Sequence, residues 1–377
     1  MEFLADIALR VVPFLVVITV VVFFHELGHF LVARWNGIRV EVFSIGFGGE
    51  IFGWNDRRGT RWRVSWIPLG GYVKFFGDAN AASAAADGID EMTDQERSVS
   101  FHHKRLGQRA AVVTAGPIAN FILAIVVFAI MFMTVGQRVS DPIVVEVMPG
   151  SAAEVGGFLG GDRVTAIDGR TIERFQDLQA YVQPRPGEAI RFEVNRAGQA
   201  IVLTVTPTPV EREAFGTKQV VGVLGIRGPD GERERLGPVA ALWGGVAETY
   251  GVVATTLIYL GEMVTGKAST DQLSGPLGIA VVTSEVARVS VIGLINLAAV
   301  ISVALGLFNL FPIPLLDGGH LLFYALERLR GKPLSERAQE LGFRLGMLVV
   351  IAIFVVATFN DLKYRLDFFG FVSGLFG

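Results

Sequence analysis

Val21–Ala33 reads VVFFHELGHFLVA, which sets His25, Glu26 and His29 inside an otherwise apolar helical stretch. Positions four apart lie on one helix face, one turn from each other, so both imidazoles can reach a single metal ion. Glu26 is next to the first of them, where its carboxylate can take a proton from a water at the metal. Zinc hydrolases hold their ion with this His-Glu-x-x-His spacing. The competing reading is two histidines satisfied by core hydrogen bonds, with Glu26 on a wet face. The flanking sequence weighs against it. Val11–Phe24 is apolar apart from Pro13 and Thr19, and Phe30–Ala33 continues the run. Such a stretch is long enough to cross a bilayer. Ionisable groups at membrane depth are costly and by default mark a function, and a metal site accounts for three of them in five residues.

The composition agrees. The chain has 377 residues, of which 51% are hydrophobic, and a mean hydropathy of +0.49. That describes an integral membrane protein with room for one soluble module. A net charge of −3 gives no basis for a nucleic-acid partner. Cysteine is absent, so any metal must be held by histidine and carboxylate. Glu2, Asp6 and Arg10 leave no positive leader region, so the first segment reads as a retained span.

Outward from the motif, residues 1–36 form the first transmembrane helix. Residues 37–109 follow as a β region and loop that covers the helix end or dips into the membrane. Within it, 40–52 and 61–76 alternate with β-branched and aromatic residues and read as strands joined by the turn Asn55–Gly59. An exposed strand edge here can pair with an extended substrate, and Gly46, Phe47 and Gly48 are the candidate contacts. Residues 79–88 are low-complexity and read as a flexible loop. The second transmembrane helix covers 110–136. The preceding loop carries Arg57, Arg58, Arg61, Lys104, Arg105 and Arg109, which makes it cytoplasmic by the positive-inside tendency.

Residues 137–228 are the soluble module. The turn Pro149-Gly150-Ser151-Ala152-Ala153, the step Gly160-Gly161-Asp162-Arg163-Val164 and Ile167-Asp168-Gly169 resemble a circularly permuted bacterial PDZ domain. The helix 174–182 would wall a peptide groove, with Gly222, Val223, Leu224, Gly225 and Ile226 meeting the peptide end. The alternative is a spacer that blocks access by size. Residues 229–290 are expected to lie on the membrane surface or to re-enter it as a helical hairpin. The third transmembrane helix is placed at 291–325, a cytoplasmic loop at 326–342, the fourth helix at 343–360 and an amphipathic tail at 361–377.

Catalytic zinc sites take three protein ligands and leave one position open. Asp317 is the candidate third ligand, because Pro312 and Pro314 break the helix beside it and broken backbone at membrane depth lines cavities. A turn or N-cap aspartate before Gly318-Gly319 is the other reading. Topology brings Asp317 to His25 only if the segment 238–264 makes no net crossing.

Taken together, four features resemble the site-2 protease family over nearly the whole chain. They are HELGH in a first span, Ala115-Gly116-Pro117-Ile118-Ala119-Asn120 opening a second, a PDZ insert, and Asn309-x-x-Pro-x-Pro-x-Leu-Asp-Gly-Gly. The match is closest to the bacterial regulator-of-sigma-E protease type, here with a single PDZ domain. The resemblance implies a polytopic α-helical membrane protein of about four spans with a β-hairpin region and a PDZ-like α+β insert. It implies one Zn2+ per chain held by His25, His29 and Asp317, with Glu26 as the base and Asn309 on the substrate backbone or developing oxyanion. It further implies hydrolysis within transmembrane segments, such as those of anti-sigma factors or remnant signal peptides. The location would be the bacterial inner membrane, with the PDZ domain outside and the metal toward the cytoplasm. Gly116 and Asn120 read as helix-packing residues, and His102, His103 and His320 as polar boundary residues. A catalytically inactive PDZ-bearing scaffold is the rival reading, which the intact Glu26 disfavours. A metal transporter would spread its ionisable groups along a path.

Overall fold

The structure is a computed structural model that describes residues 2–78, 91–214, 217–229, 231–266, 273–332 and 334–365. The expected low-complexity loop at 79–88 and the tail beyond 365 lie outside the described residues. The chain forms two compact units, residues 1–129 with 242–377, and residues 130–241.

In the first unit, α1 (Glu2–Trp35) leads into β1 (Val40–Asn55) and β2 (Arg61–Phe75), then a short α2 (Asp94–Val99) and α3 (Leu106–Thr134). Thr93 caps α2 in a reciprocal box with Glu96. The two strands bend enough to make a four-run sheet, in which 42–45 and 61–64 run the same way and the other neighbours run in opposite directions. Residues 42–45 pair with 61–64 on one side and with 71–74 on the other, and 47–55 pair with 61–67. Gly46, Gly48 and Gly70, all at positive φ, supply the bends. The run 71–75 is therefore an edge, with no strand on its second side among the described residues. Phe43, fully buried, stacks on Trp62 and meets Phe30 of α1 edge-on, which anchors the sheet to the helix.

The second unit runs through β3 (Gln137–Val139), β4 (Glu146–Val147), α4 (Ala152–Val155), β5 (Arg163–Ile167), β6 (Arg170–Thr171), α5 (Phe175–Val182), β7 (Ile190–Arg196), β8 (Gln199–Val205), β9 (Thr208–Ala214), β10 (Thr217–Val223), β11 (Ile226–Arg227) and β12 (Glu232–Glu234). Its main sheet has the order β6-β5-β7-β8. Val164, Ile167, Leu178, Ile190, Phe192 and Val194 fill the core. Buried Asp162 accepts from Arg196 Nε at 2.7 Å and from the Leu159 amide at 2.9 Å. Burial alone would raise this carboxyl, but the Arg196 and Leu159 hydrogen bonds prevail and hold it below its ordinary range. The expected groove segment follows α5. A side chain at Gly222 would meet the Val182 carbonyl, and one at Gly228 would meet the Phe175 ring, each at about 2.6 Å. Leu224 is buried, Gly225 takes φ +77, and Ile226 pairs with Val147 of β4.

The first unit resumes with α6 (Pro238–Val264), α7 (Pro276–Val289), α8 (Val291–Asn309), α9 (Asp317–Arg330) and α10 (Glu336–Asn360), closed by a π-helical turn at Asp361–Arg365. Four helical stretches are long and apolar enough to cross a membrane: Val11–Trp35, Leu106–Thr134, Val291–Asn309 and Arg337–Lys363. They fall where the sequence places the spans.

Residues 238–264 are one unbroken helix with Pro238 at its start. Two expectations are corrected. The third apolar helix stops at Asn309, ahead of Pro312, and does not run to 325. The supposed loop 326–342 is mostly helical, since α9 continues to Arg330 and α10 begins at Glu336. Gly331, at φ +70, ends α9.

Candidate metal centre

α1 presents His25 and His29 one turn apart, with ring centroids 4.8 Å from each other. The third carboxylate comes from the far end of the chain. α8 ends at Asn309, and the segment Leu310–Leu316 turns tightly, with Leu315 at φ +93. For a branched residue that conformation costs about 1–3 kcal/mol and persists only where the surroundings impose it. Gly318 and Gly319 permit the turn, because the backbone of 310–314 passes over both positions; a side chain at Gly319 would meet Pro314 Cα at 2.5 Å. Leu316, in extended backbone, is the N-cap of α9, so Asp317 is the first helical residue and not the cap. Its carboxylate points at the histidines.

Asp317 Oδ2 lies 3.2 Å from His25 Nε2 and 3.5 Å from His29 Nε2, and the two Nε2 atoms are 3.2 Å apart. Ligand bonds of about 2.0–2.1 Å at tetrahedral angles set donor atoms about 3.3 Å apart. Asp317 Oδ2 is buried and faces the two imidazoles without a hydrogen bond of good geometry, an acceptor that a cation would satisfy. The three groups fit a zinc ion.

α3 brackets this cluster. Its residues 112, 116 and 120, each four apart, share one stripe. His29 Nδ1 lies 2.8 Å from the Val112 carbonyl, and His25 Nδ1 lies 3.2 Å from Asn120 Nδ2. Between them Gly116 leaves the space the rings occupy: a side chain there would meet His25 Cε1 at 2.9 Å and collide with His29 Nε2. Gly28 does the same for the backbones, since its side chain would strike the Ala115 carbonyl.

A cavity of about 210 Å³ opens on the cluster, and Glu26, Gly71, Tyr72, Asn309, His320 and Tyr324 are among its lining residues. Gly71 admits Glu26, whose Cγ lies 3.3 Å from where a side chain would start. The edge run 71–75 thus forms one wall. Asn309 faces the cavity with Nδ2 turned back to the Leu305 carbonyl at 3.0 Å. Gly46, Phe47 and Gly48 sit at a bend of β1 and do not line the cavity; Phe47 reaches it only through its stack on Tyr72. Gly222–Ile226 belong to the second unit.

Sequence reasoning missed three neighbours. His320, read as a boundary residue, lines the cavity; Tyr324 does so one turn on; Asn120, read as packing, faces His25. His102 instead pairs with buried Asp78 at 2.9 Å. The periodicity of α9, which places 317, 320 and 324 on one face, is the signal that could have found the first two.

The model of peptidase family M50 matches residues 13–353. A protein of Agrobacterium fabrum whose name includes the words zinc metalloprotease is 47% identical over 94% of this chain and 95% of its own length. The metalloprotease MmpA of Caulobacter vibrioides is 41% identical over 98% of both chains. Among solved structures, the PDZ domain of an SdrC-like protein from Listeria innocua matches 26% of this chain and 100% of its own at 17% identity, with a TM-score of 0.20. Family match, relatives and a His-His-Asp cluster beside the glutamate of HELGH lead to one conclusion: the chain belongs to peptidase family M50 and is a metalloprotease.

Proposed function

We propose that this chain is an intramembrane endopeptidase that cuts transmembrane segments of other membrane proteins. The carrying observation is that His25, His29, Asp317 and Glu26 share one cavity, and that three helices apolar enough to span a bilayer contribute to its lining. The exposure of Phe52, Trp54, Trp66 and Ile67 on the sheet supports an apolar surrounding there as well.

His25, His29 and Asp317 would hold zinc, one ion per chain. When bound, zinc makes a water acidic enough to attack at neutral pH and polarises the scissile carbonyl. Glu26 takes the proton from the attacking water and returns it to the leaving amine. The edge run 71–75 has no strand on its second side among the described residues and can take up a substrate unwound into a strand, which exposes carbonyls that a substrate helix keeps bonded and screened. Asn309, after rotating from Leu305, can donate to the substrate backbone or to the oxygen that gains charge.

The substrates would be single-span remnants, such as anti-sigma factors after a first extracytoplasmic cut or leftover signal peptides, in a bacterial inner membrane. The second unit would lie outside as a PDZ filter, with the groove along Gly222–Ile226 meeting peptide ends and bulky ectodomains excluded. The basic residues around β2 and between α9 and α10 support a metal centre toward the cytoplasm.

The test is cleavage of a model transmembrane substrate by purified protein beside Glu26→Gln, with metal content measured on both. Cleavage by wild type alone, with metal retained in both, is expected. Metal bound in both with no cleavage would favour a scaffold, and absence of metal from wild type would overturn the proposal.

A further inference from the structure

We propose that Asn120 is a positioning residue of the metal centre, which orients His25 by accepting the hydrogen bond of its Nδ1–H when zinc is held. The inference rests on the zinc site proposed above. An imidazole that binds metal through Nε2 carries its proton on Nδ1 and needs an acceptor there. His29 has one, the Val112 carbonyl at 2.8 Å. The atom beside His25 Nδ1 is an amide, Asn120 Nδ2 at 3.2 Å, and Asn120 Oδ1 is buried without a hydrogen bond.

Both observations describe one of two arrangements open to the amide. With His25 Nε2 3.2 Å from Asp317 Oδ2, the ring proton can sit on Nε2 while Nδ1 accepts from Asn120. When a metal takes Nε2, the proton moves to Nδ1 and the amide turns over, so that Oδ1 accepts. Asparagine serves both arrangements because it carries a donor and an acceptor on one flat group. Asn120 is fully buried, and its backbone carbonyl accepts from Ser302 Oγ at 2.9 Å, which holds α3 against α8 independently of the side chain. α3 thus supplies an acceptor to each histidine, from the backbone at 112 and from a side chain at 120.

Asn120→Asp and Asn120→Leu separate this from packing, with zinc affinity measured by competition against a chromophoric chelator on full-length protein in detergent. The carboxylate accepts without rotating and leaves no amide N–H stranded, so Asn120→Asp should bind within threefold of wild type or tighter. Asn120→Leu should bind about 10–100-fold more weakly, with an altered visible spectrum when cobalt replaces zinc. Melting of the metal-free protein reports packing separately. Wild-type affinity in Asn120→Leu, or Asn120→Asp no tighter than Asn120→Leu, overturns the assignment. Wild type that binds no zinc would instead remove the proposed function beneath it.

Discussion

Gly116 shows how closely the cluster is fitted. A methyl at this position would begin 2.9 Å from His25 Cε1 and closer still to His29 Nε2. The rings cannot retreat into α1, because Gly28 already holds that helix against the Ala115 carbonyl. Gly116→Ala should therefore displace both imidazoles from Asp317 and weaken zinc binding at least about tenfold, a loss comparable to that of an outer-shell partner. Peptidase activity should fall with it. Gly107→Ala is the control: the same helix, nothing within 4 Å, and a better helix former. It should bind zinc like wild type. Equal zinc affinity in Gly116→Ala would mean that α1 and α3 separate freely and that the close fit has no bearing on the site.

Helix α9 carries Asp317 and α3 brackets the histidines of α1, and α3 and α9 are tied by an ion pair. Arg109 Nη2 lies 2.7 Å from Glu327 Oε1, both largely buried, and the guanidinium stands 4.9 Å from the ring centroid of Tyr324. Removing either partner leaves a charge without its counter-ion. Glu327→Ala and Arg109→Ala should each lower the melting temperature, and the exchange Arg109→Glu with Glu327→Arg should recover much of it. The expected coupling in a double-mutant cycle is about 1–3 kcal/mol, and a coupling below about 0.5 kcal/mol would show that α9 is held in place by packing alone. This pair also marks the limit of legibility. His25 and His29 can be read in sequence because a helix repeats every 3.6 residues, and Asp317 because two prolines announce broken backbone. Arg109 and Glu327 stand 218 positions apart, and Asn120 and His25 95 apart; no local pattern joins them. The same holds for Asp361, read as tail, whose carboxylate caps α7 by accepting from Gly275 and Gly278 at 3.1 and 2.8 Å. The sheet was partly legible: alternation shows strands, but the bends at Gly46, Gly48 and Gly70 that fold two runs into four depend on pairings formed only in three dimensions.

These long-range contacts fix the course of the chain through the first unit. His29 meets Val112 and His25 meets Asn120, so α1 and α3 are antiparallel. Gly306 packs on the Pro117 carbonyl and Ser302 bonds Asn120, so α8 runs parallel to α1. α10 starts beside the metal end, where Gly346 is pressed against Pro314 and Gly342 against Phe323. Asp361, fifteen residues beyond Gly346 and about 22 Å along the helix, then lies at the opposite end, and it holds Gly275 there. Gly245 touches the Ile125 carbonyl of α3, past Asn120 on that same side. Gly245 and Gly275 therefore lie on one side of the metal centre, from which no net crossing between them is expected. Under the cytoplasmic placement proposed for the metal end, which the basic residues Arg328, Arg330, Lys332 and Arg337 support, Thr265 is expected outside, just after α6. In intact cells, Thr265→Cys should react with a membrane-impermeant maleimide, while Gly331→Cys, between α9 and α10, should react only after the membrane is opened. Thr265→Cys protected in intact cells and labelled only after lysis would mean that α6 spans the bilayer.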